Sequence, residues 1–286
     1  METVICKICN CPTFMCLCEF ANGLEGKLDI LNNVNYTSIS ISTMTICFNF
    51  NQFIDLNLLK EKLPEKLKVT FNPDSKKSKI KKKKGTDSFY NSFDIKLTFV
   101  DIINGKPLFS NVSIFIFPNG RVKAAGVKTQ NTINIMIEEL IYLVNYVPGT
   151  VEFPNKLLAE NIKIQMICSD FKIKPIKDDP DGWCLKQEDL KNIIVKKGYS
   201  ATFSSLSRYP GINVKYPSVV EKDKNVSLLI FRSGSIIITG AKNMKDISTS
   251  YTFITDIISK NSKVLFYYDI NEEIKQKKLK KKVNLK

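Results

Sequence analysis

The first 18 residues hold the densest group of chemically reactive side chains in the sequence. Five cysteines lie in the stretch CKICNCPTFMCLC, between Cys6 and Cys18. Four thiolates can hold a zinc ion in tetrahedral geometry, and the candidate set is Cys6, Cys9, Cys16 and Cys18. However, the loop from Cys9 to Cys16 is shorter than the usual spacing of about 12 residues or more, and a fifth cysteine is left over. Two alternatives stay open: a structural zinc site, and a reduced segment without metal.

Enzymatic chemistry has little support in the sequence. There is no histidine among the 286 residues, which removes the Ser-His-Asp and Cys-His nucleophile systems and every histidine metal ligand. The acidic stretch DDPDG, residues 178–182, lacks a Glu at the spacing of a calcium-binding loop and is interpreted as a turn. No glycine-rich phosphate loop and no convergent pair of acids is evident. We therefore expect no enzyme, and no cofactor other than the zinc of the first alternative.

The positive charge of the chain is concentrated in two lysine runs. The formal net charge is +15, and the runs KKSKIKKKK (76–84) and KQKKLKKKVNLK (275–286) hold seven lysines each. Without those fourteen lysines the count falls to +1. Such runs are typical of flexible tails and localisation signals as well as of nucleic-acid-binding segments. The runs by themselves therefore do not decide the partner.

No membrane segment or secretion signal is predicted. The sequence has no apolar run of about 18 residues and no signal-peptide pattern. Three further cysteines, Cys47, Cys168 and Cys184, are scattered along the chain and are interpreted as buried thiols. Unpaired thiols are typical of a reducing compartment, so we expect an intracellular protein.

Two similar hairpins occur 114 residues apart. IFIFPNGRVKAAGVK (114–128) and LLIFRSGSIIITGAK (228–242) each contain two apolar runs around a tight turn that includes a glycine. Five of the 15 aligned pairs are identical: Ile116/Ile230, Phe117/Phe231, Gly120/Gly234, Gly126/Gly240 and Lys128/Lys242. A Phe directly precedes the turn in both copies. The chain therefore contains an internal duplication.

The elements around the hairpins repeat in the same order. Each half is predicted to contain a strand, a helix, several strands and a long helix whose apolar residues recur at spacings of three and four. This order indicates an α+β fold, and the duplication suggests a curved antiparallel sheet, a pseudo-twofold saddle with helices on the convex face. The expected domains are a Cys-rich extension (1–35), a first repeat (36–150) with a basic insertion (75–91), a second repeat (151–270) and a basic tail (271–286).

The second hairpin resembles the TATA-box-binding protein family, in which the pattern LIFxSGKxVxTGAK occurs in each of two repeats. The preceding stretch RYPGINVKY (208–216) resembles the family strand FPGLIYR. The resemblance covers residues 38–260 and is degraded in the first half. Within the family, the chain is most similar to divergent TATA-binding-like proteins of large nucleocytoplasmic DNA viruses. Such proteins bind the minor groove and insert aromatic wedges that kink the duplex.

The resemblance implies roles for particular residues. The wedges are Phe117, Phe231, Tyr209 and Phe93, with Phe89 as the competitor of Phe93 because the basic insertion blurs the alignment. The phosphate contacts are Arg121 and Lys215. The remaining matches line the floor that faces the groove: Phe115, Leu229, Ile237, Thr239, Lys123, Ala125, Thr43 and Gln165. The glycines of both hairpins serve turns and close packing as readily as DNA approach.

Several of these positions depart from the family pattern. Lys123 and Ala125 stand where the family has Val and Thr, Thr43 and Gln165 replace two central asparagines, and Ser235 replaces a basic residue. Since the floor selects base pairs in the minor groove, these changes imply an altered or weak site preference. The two repeats should therefore not read DNA alike.

The function implied is a DNA-binding transcription initiation factor that bends AT-rich promoter DNA. It would bind as a monomer and recruit a B-type general factor or a viral RNA polymerase. Its location would be the host nucleus or a cytoplasmic viral factory, with packaging in the virion as a further option. Two alternatives stay open: a saddle-fold adaptor that has lost specific DNA binding, and a nonspecific binder that relies on the lysine runs.

Overall fold

The computed structural model describes residues 34–63, 69–71, 91–175, 182–206 and 210–270. The predicted zinc ligands Cys6, Cys9, Cys16 and Cys18 lie outside these ranges. So do both lysine runs, Phe89 and the predicted wedge Tyr209.

The chain divides into two compact units. One consists of the described residues of Thr43–Met166, and the other of those in Met1–Ser42 and Ile167–Lys286. The sequence-predicted repeats were continuous, whereas the structure assigns residues 34–42 to the second unit. The reason is strand pairing: Val34 lies opposite Pro175 and Tyr36 lies opposite Ile173. We call the two units the N-unit (Thr43–Met166) and the C-unit.

The N-unit contains an antiparallel sheet and a long helix. Its strands follow the order β3-β4-β5-β6-β2. Their bounds are β2 Ser40–Phe50 (shared with the C-unit), β3 Val69–Phe71, β4 Phe93–Ile103, β5 Lys106–Ile116 and β6 Arg121–Val127. The helices are α1 Leu56–Lys62 and α2 Gln130–Tyr146, and Pro154–Lys156 form a 3₁₀ turn. Helix α1 ends at Lys62 because Leu63, which precedes Pro64, is extended.

The C-unit repeats this plan. Its sheet has the order β7-β12-β11-β10-β9, and β1 (Val34–Tyr36) pairs with β7. The strands are β7 Ala159–Pro175 (shared with the N-unit), β9 Ser200–Thr202, β10 Gly211–Pro217, β11 Asn225–Phe231 and β12 Ser235–Ala241. The helices are α3 Gln187–Lys196, α4 Met244–Lys260 and α5 Ser262–Leu265. A small second sheet pairs β8 Trp183–Leu185 with β13 Phe266–Tyr268, which the sequence analysis did not predict.

The core of each unit lies on one face of its sheet. In the N-unit, Ile114, Ile116, Val122 and Ala124 are fully buried together with the apolar stripe of α2 (Ile133, Met136, Leu140 and Val144). In the C-unit, Leu228, Ile230, Ile236 and Ile238 are fully buried with Ile247, Ile254 and Ile258 of α4. The alternate residues of these strands point to the opposite face, as the period of two requires. We call that opposite face the open face of each unit.

Candidate nucleic-acid interface

The register of the C-unit sheet places four side chains in a row across the open face. Asn213 lies opposite Leu229, Leu229 lies opposite Ile237, and Ile237 lies opposite Asp170. Cross-strand partners share one face of an antiparallel sheet, so the four side chains form a continuous strip, which we call the C-row. Leu229 and Ile237 are only partly exposed, whereas Asp170 is exposed. The strip therefore has an apolar centre and polar ends.

The second row of the C-unit includes two further predicted residues, Lys215 and Thr239. Lys215 lies opposite Ser227, which lies opposite Thr239. Lys215 Nζ is 2.7 Å from Ser227 Oγ, to which it donates a hydrogen bond. The predicted floor residue Thr239 and the predicted phosphate contact Lys215 thus occupy one strip, and their roles stay predictions.

Phe231 ends strand β11 on the open face. It lies opposite Gly211, where an added Cβ would come within 3.1 Å of Phe231 Cε1. The aromatic ring therefore lies directly over the glycine of the YPG stretch. The turn that follows is closed by Gly234 N–H donating to Phe231 O at 3.0 Å. Phe231 is partly exposed, and Gly211 lies beneath its ring.

Phe117 occupies the equivalent place in the N-unit. It directly follows strand β5, and Gly120 N–H donates to its carbonyl oxygen at 3.0 Å, as in the other turn. Phe117 N–H also donates to Arg121 O at 2.9 Å. Its side chain is partly exposed, like that of Phe231. The two predicted wedges are thus presented by the same local backbone in both units.

Phe93 does not occupy a wedge position. Its side chain is fully buried, and it lies opposite Ile116 in the core face of the sheet. The same place in the C-unit is taken by Ile212, which lies opposite Ile230. A wedge must be exposed before it can enter a base step, so the prediction for Phe93 is wrong: it is a core residue.

Because Phe93 and Ile212 occupy matching places, Tyr90 is the residue of the first repeat that corresponds to Tyr209 in the sequence. Tyr209 stands three residues before Ile212, and Tyr90 stands three residues before Phe93. A signal was available in the sequence, because YPGI and YNSF both place a Tyr three residues before an apolar residue. Both tyrosines lie outside the described residues.

The N-unit has a row equivalent to the C-row but with different chemistry. Asp94 lies opposite Phe115, Phe115 opposite Lys123, and Lys123 opposite Cys47. We call this strip the N-row. Lys123 therefore occupies the place of Ile237, and Cys47 that of Asp170. The predicted difference between the two floors is thus present in side chains at matching positions.

A second strip of the N-unit contains a lysine that the sequence analysis missed. Lys96 lies opposite Ser113, Ser113 opposite Ala125, and Ala125 opposite Thr45. Lys96 and Ser113 correspond to Lys215 and Ser227 of the C-unit. The signal was the lysine six residues after Tyr90, which matches Lys215 six residues after Tyr209.

The other predicted floor and phosphate residues are spread over the N-unit. Thr43 is partly exposed and lies beside a register shift between Met44 and Thr45. Arg121 is exposed and lies opposite Asn49. Arg121 and Gln165 line one open depression of about 610 Å³, together with Lys163. This arrangement places two cations and an amide close to the open face.

Arg232, in the turn after Phe231, is held by other side chains. Its Nε donates to Tyr267 Oη at 2.7 Å, and Nη2 forms an ion pair with Asp269. Leu185 N–H donates to Arg232 O at 2.7 Å, so the β8–β13 sheet directly contacts the turn after Phe231. Arg232 therefore stabilises the contact between this turn and the segment that contains Tyr267 and Asp269.

Burial changes the acid–base behaviour of two groups on the open faces. Burial raises the pKa of the Asp94 carboxyl, against the lowering effect of the hydrogen bond from Ser92. Burial also raises the pKa of the Cys168 thiol, although hydrogen bonds with Thr239 and Ser42 act in the opposite direction. Cys168 is therefore a neutral thiol at neutral pH.

No group of three or more His, Cys, Asp or Glu residues able to hold a metal ion occurs within the described ranges. Because the predicted zinc ligands lie outside those ranges, the zinc site stays a prediction. No helix of the described residues is long and apolar enough to cross a membrane.

Comparison with known proteins agrees with this geometry. Residues 189–261 match the family model of transcription factor TFIID, or TATA-binding protein (TBP). The chain is 28% identical over 280 residues to a TATA-box-binding protein-like protein of Acanthamoeba polyphaga mimivirus, covering 88% of this chain and 74% of that protein. Its fold is similar to that of Methanococcus jannaschii TBP, with a TM-score of 0.50 and 19% identity over 78% of this chain and 99% of that one. The α+β class and the resemblance predicted from the sequence are both confirmed.

Proposed function

We propose that this chain, a divergent relative of the TATA-box-binding proteins, binds double-stranded DNA along the minor groove and bends it. The open face of each unit would contact the groove, with Phe117 and Phe231 inserted between base steps. The observation that carries the proposal is the matched presentation of these two side chains, each partly exposed beside the same glycine turn. A lone Phe at a hairpin end is ordinary packing, whereas two at equivalent places support a shared role.

The energetics of such binding favour an apolar floor beside the wedges. Unstacking a base step costs about a few kcal/mol, which the larger contact area of the bent duplex offsets. In the C-unit, Leu229 and Ile237 offer an apolar surface next to Phe231. Pyrimidine–purine steps such as TA kink most readily, so we expect a TA step where each Phe enters.

The remaining wedges in this proposal are Tyr209 and Tyr90. Gly211 makes room for the Phe231 ring, and Tyr209 lies two residues earlier in the same YPG stretch. Tyr90 stands three residues before Phe93 of β4, as Tyr209 stands three residues before Ile212 of β10. A tyrosine ring can stack on a base in the same way as a phenylalanine.

Bending of a short AT-rich duplex with a dye at each end tests the proposal. We expect wild type to shorten the end-to-end distance, and Phe117→Ala/Phe231→Ala to abolish that change and weaken binding by about tenfold or more. Tyr90→Ala/Tyr209→Ala should reduce bending in the same assay. The reason is that the kink requires rings in the base steps, whereas phosphate contacts alone give binding without a kink.

The matched control removes two aromatic rings elsewhere. Tyr142→Ala/Tyr146→Ala truncates two exposed tyrosines of α2, which contact each other at a centroid distance of 6.3 Å. This variant should bend DNA like wild type. Melting temperatures of all variants separate loss of contact from loss of fold. If Phe117→Ala/Phe231→Ala bends the duplex like wild type, the wedge proposal is wrong.

We further propose that DNA bending serves transcription initiation, with the helical surface recruiting a B-type general factor or an RNA polymerase. The same two tyrosines of α2 are exposed on that surface. Co-purification of a complex from wild type, DNA and candidate factor, compared with the Tyr142/Tyr146 variant, tests this role.

A second candidate, an adaptor without specific DNA binding, is favoured by one observation. The N-row has Lys123 and Asp94 where the C-row has Ile237 and Asn213, so its floor is less apolar. If wild type binds no duplex and still forms the complex with the factor, the adaptor function replaces the first proposal.

A further inference from the structure

We propose that Asp170 makes the C-unit select a G·C pair within an otherwise AT-rich minor-groove site. The inference rests on the proposed DNA-binding function and concerns the sequence that the open face prefers. Its basis is a carboxylate on the open face, at the end of an apolar strip that would lie against the bases.

Strand register places Asp170 firmly on the open face. It is the direct partner of Ile237, and its neighbours Ser169 and Phe171 are buried on the core side. Asp170 itself is exposed. Its carboxylate thus shares a strip with Ile237 and Leu229, the predicted floor residues of this unit.

A neighbouring hydroxyl orients the carboxylate. Ser42 Oγ donates a hydrogen bond to Asp170 Oδ1, which leaves Oδ2 able to accept another. Ser40 Oγ also donates to the backbone carbonyl of Asp170 at 3.4 Å. The group is therefore a positioned acceptor and cannot donate while ionised.

The chemistry of the minor groove gives such an acceptor one favourable base pair. A·T pairs present only acceptors there, A N3 and T O2, whereas G·C adds the N2 amino donor of guanine. A carboxylate facing A·T would meet acceptors, with its own charge uncompensated. Facing G·C, it would accept a charge-assisted hydrogen bond from the amino group. Asp170 therefore favours G·C at the position it faces.

Two further observations make this position special. Asp170 is the single acidic residue in β9–β12 and the Ile167–Pro175 part of β7. At the opposite end of the C-row, Asn213 Oδ1 is buried and accepts no hydrogen bond from the described residues. The exposed acceptor of the C-row is therefore the Asp170 carboxylate. The N-row has Cys47 in the place of Asp170, so the preference belongs to the C-unit.

Duplexes that differ only in the guanine amino group test the inference. Starting from the AT-rich duplex that wild type bends, one pair at a time is replaced by G·C or by I·C, since inosine pairs like guanine but lacks the N2 amino group. At one position we expect wild type to bind the G·C duplex about tenfold more tightly than the I·C duplex. Asp170→Ala should bind both equally.

A charge-matched control separates base reading from repulsion. Asp189→Ala removes one exposed carboxylate from α3, away from the open face, and should keep the preference for G·C. If Asp170→Ala tightens binding to G·C, I·C and A·T duplexes alike, Asp170 only repels DNA and the inference is overturned. Equal binding of G·C and I·C by wild type at every position overturns it too.

Failure of the underlying function gives a different result. If wild type neither binds nor bends any duplex of the series, the proposed function is wrong as well. If wild type bends the parent duplex but shows no preference that depends on Asp170, only this inference is wrong.

Discussion

Gly120 and Gly234 are required by the backbone of the two turns that follow Phe117 and Phe231. Their φ angles are +78° and +77°, in the left-handed region that side chains rarely adopt. An added Cβ would also lie 2.5 Å from Gln52 O at Gly120 and 2.1 Å from Ile173 O at Gly234. Both obstacles are backbone atoms, which cannot rotate away. At both positions glycine is therefore required by the close backbone carbonyl as well as by the positive φ angle.

Gly234→Ala tests this interpretation. The comparison is Gly198→Ala, at a glycine that also has a positive φ angle but has free space for a Cβ. Gly198 has φ +86° and no atom within 4 Å of an added Cβ. We expect Gly198→Ala to lower the free energy of unfolding by about 1 kcal/mol, from dihedral strain alone. Gly234→Ala should lower it by about 3 kcal/mol or more, because the clash adds to the strain. Urea denaturation measures both, and equal effects would contradict the role assigned to the Ile173 carbonyl.

A buried carboxylate joins the β4–β5 hairpin to the start of helix α2. Asp101 is 5% exposed, and it accepts hydrogen bonds from Thr129 Oγ1, Thr132 Oγ1 and Asn131 Nδ2. Thr129 is also the N-cap of α2, whose equivalent in the C-unit is Asn243, the N-cap of α4. There, the buried Asp246 accepts hydrogen bonds from Asn243 Nδ2 and Ser218 Oγ. Each unit thus secures its long helix with a capped N-terminus and one buried acid.

Stability should depend on pH through Asp101. Burial raises the pKa of this carboxyl, but the hydrogen bonds from Thr129, Thr132 and Asn131 outweigh it, and the net pKa lies below the usual 3.8. A lowered folded-state pKa adds stability above about pH 4, which is lost as the pH falls through the folded pKa. Asp101→Asn should therefore lower the free energy of unfolding by about 1–3 kcal/mol at pH 7.

The difference between wild type and Asp101→Asn should shrink as the pH falls below 4, because the wild-type carboxyl becomes protonated. Denaturant titrations at several pH values provide the measurement. Asp189→Asn, an exposed carboxylate on α3, is the matched control and should have little effect. A constant difference at all pH values would show that charge on Asp101 is irrelevant.

At the scale of the whole molecule, most of the net positive charge and the candidate interface lie in different parts of the chain. Fourteen lysines in the two runs account for nearly all of the net charge of +15, whereas the candidate interface is formed by the described sheets. Under the proposed function, the runs would supply nonspecific attraction to phosphates, and the sheets would supply wedging and base preference.

Deleting residues 76–84 and 275–286 should separate these contributions. We expect the deletion to weaken binding at low salt and to reduce the slope of log affinity against log salt, since fewer counterions are released. The bend angle of the bound duplex should stay unchanged. Fluorescence anisotropy over a salt series, with the dye-pair bending assay, measures both quantities. Loss of the bend in this variant would instead support the nonspecific binder.

Local patterns in the sequence were enough to predict much of this protein. The internal duplication, the α+β class, the two glycine turns and the long helices all follow from the spacing of apolar residues and glycines. These features depend on neighbours a few residues apart, which a single sequence displays directly. Phe117 and Phe231 could be singled out for the same reason, because each stands beside a turn that both copies share.

Only the tertiary structure decided which side chains share a face. Phe93 was predicted as a wedge, yet its pairing with Ile116 places it in the core. Asp170 and Ile237 are 67 positions apart in the sequence and adjacent in the sheet. A shift of register by one residue would move every such side chain to the other face. The sequence therefore determined the elements and their repetition, whereas the strand register, which depends on long-range pairing, decided the composition of the candidate interface.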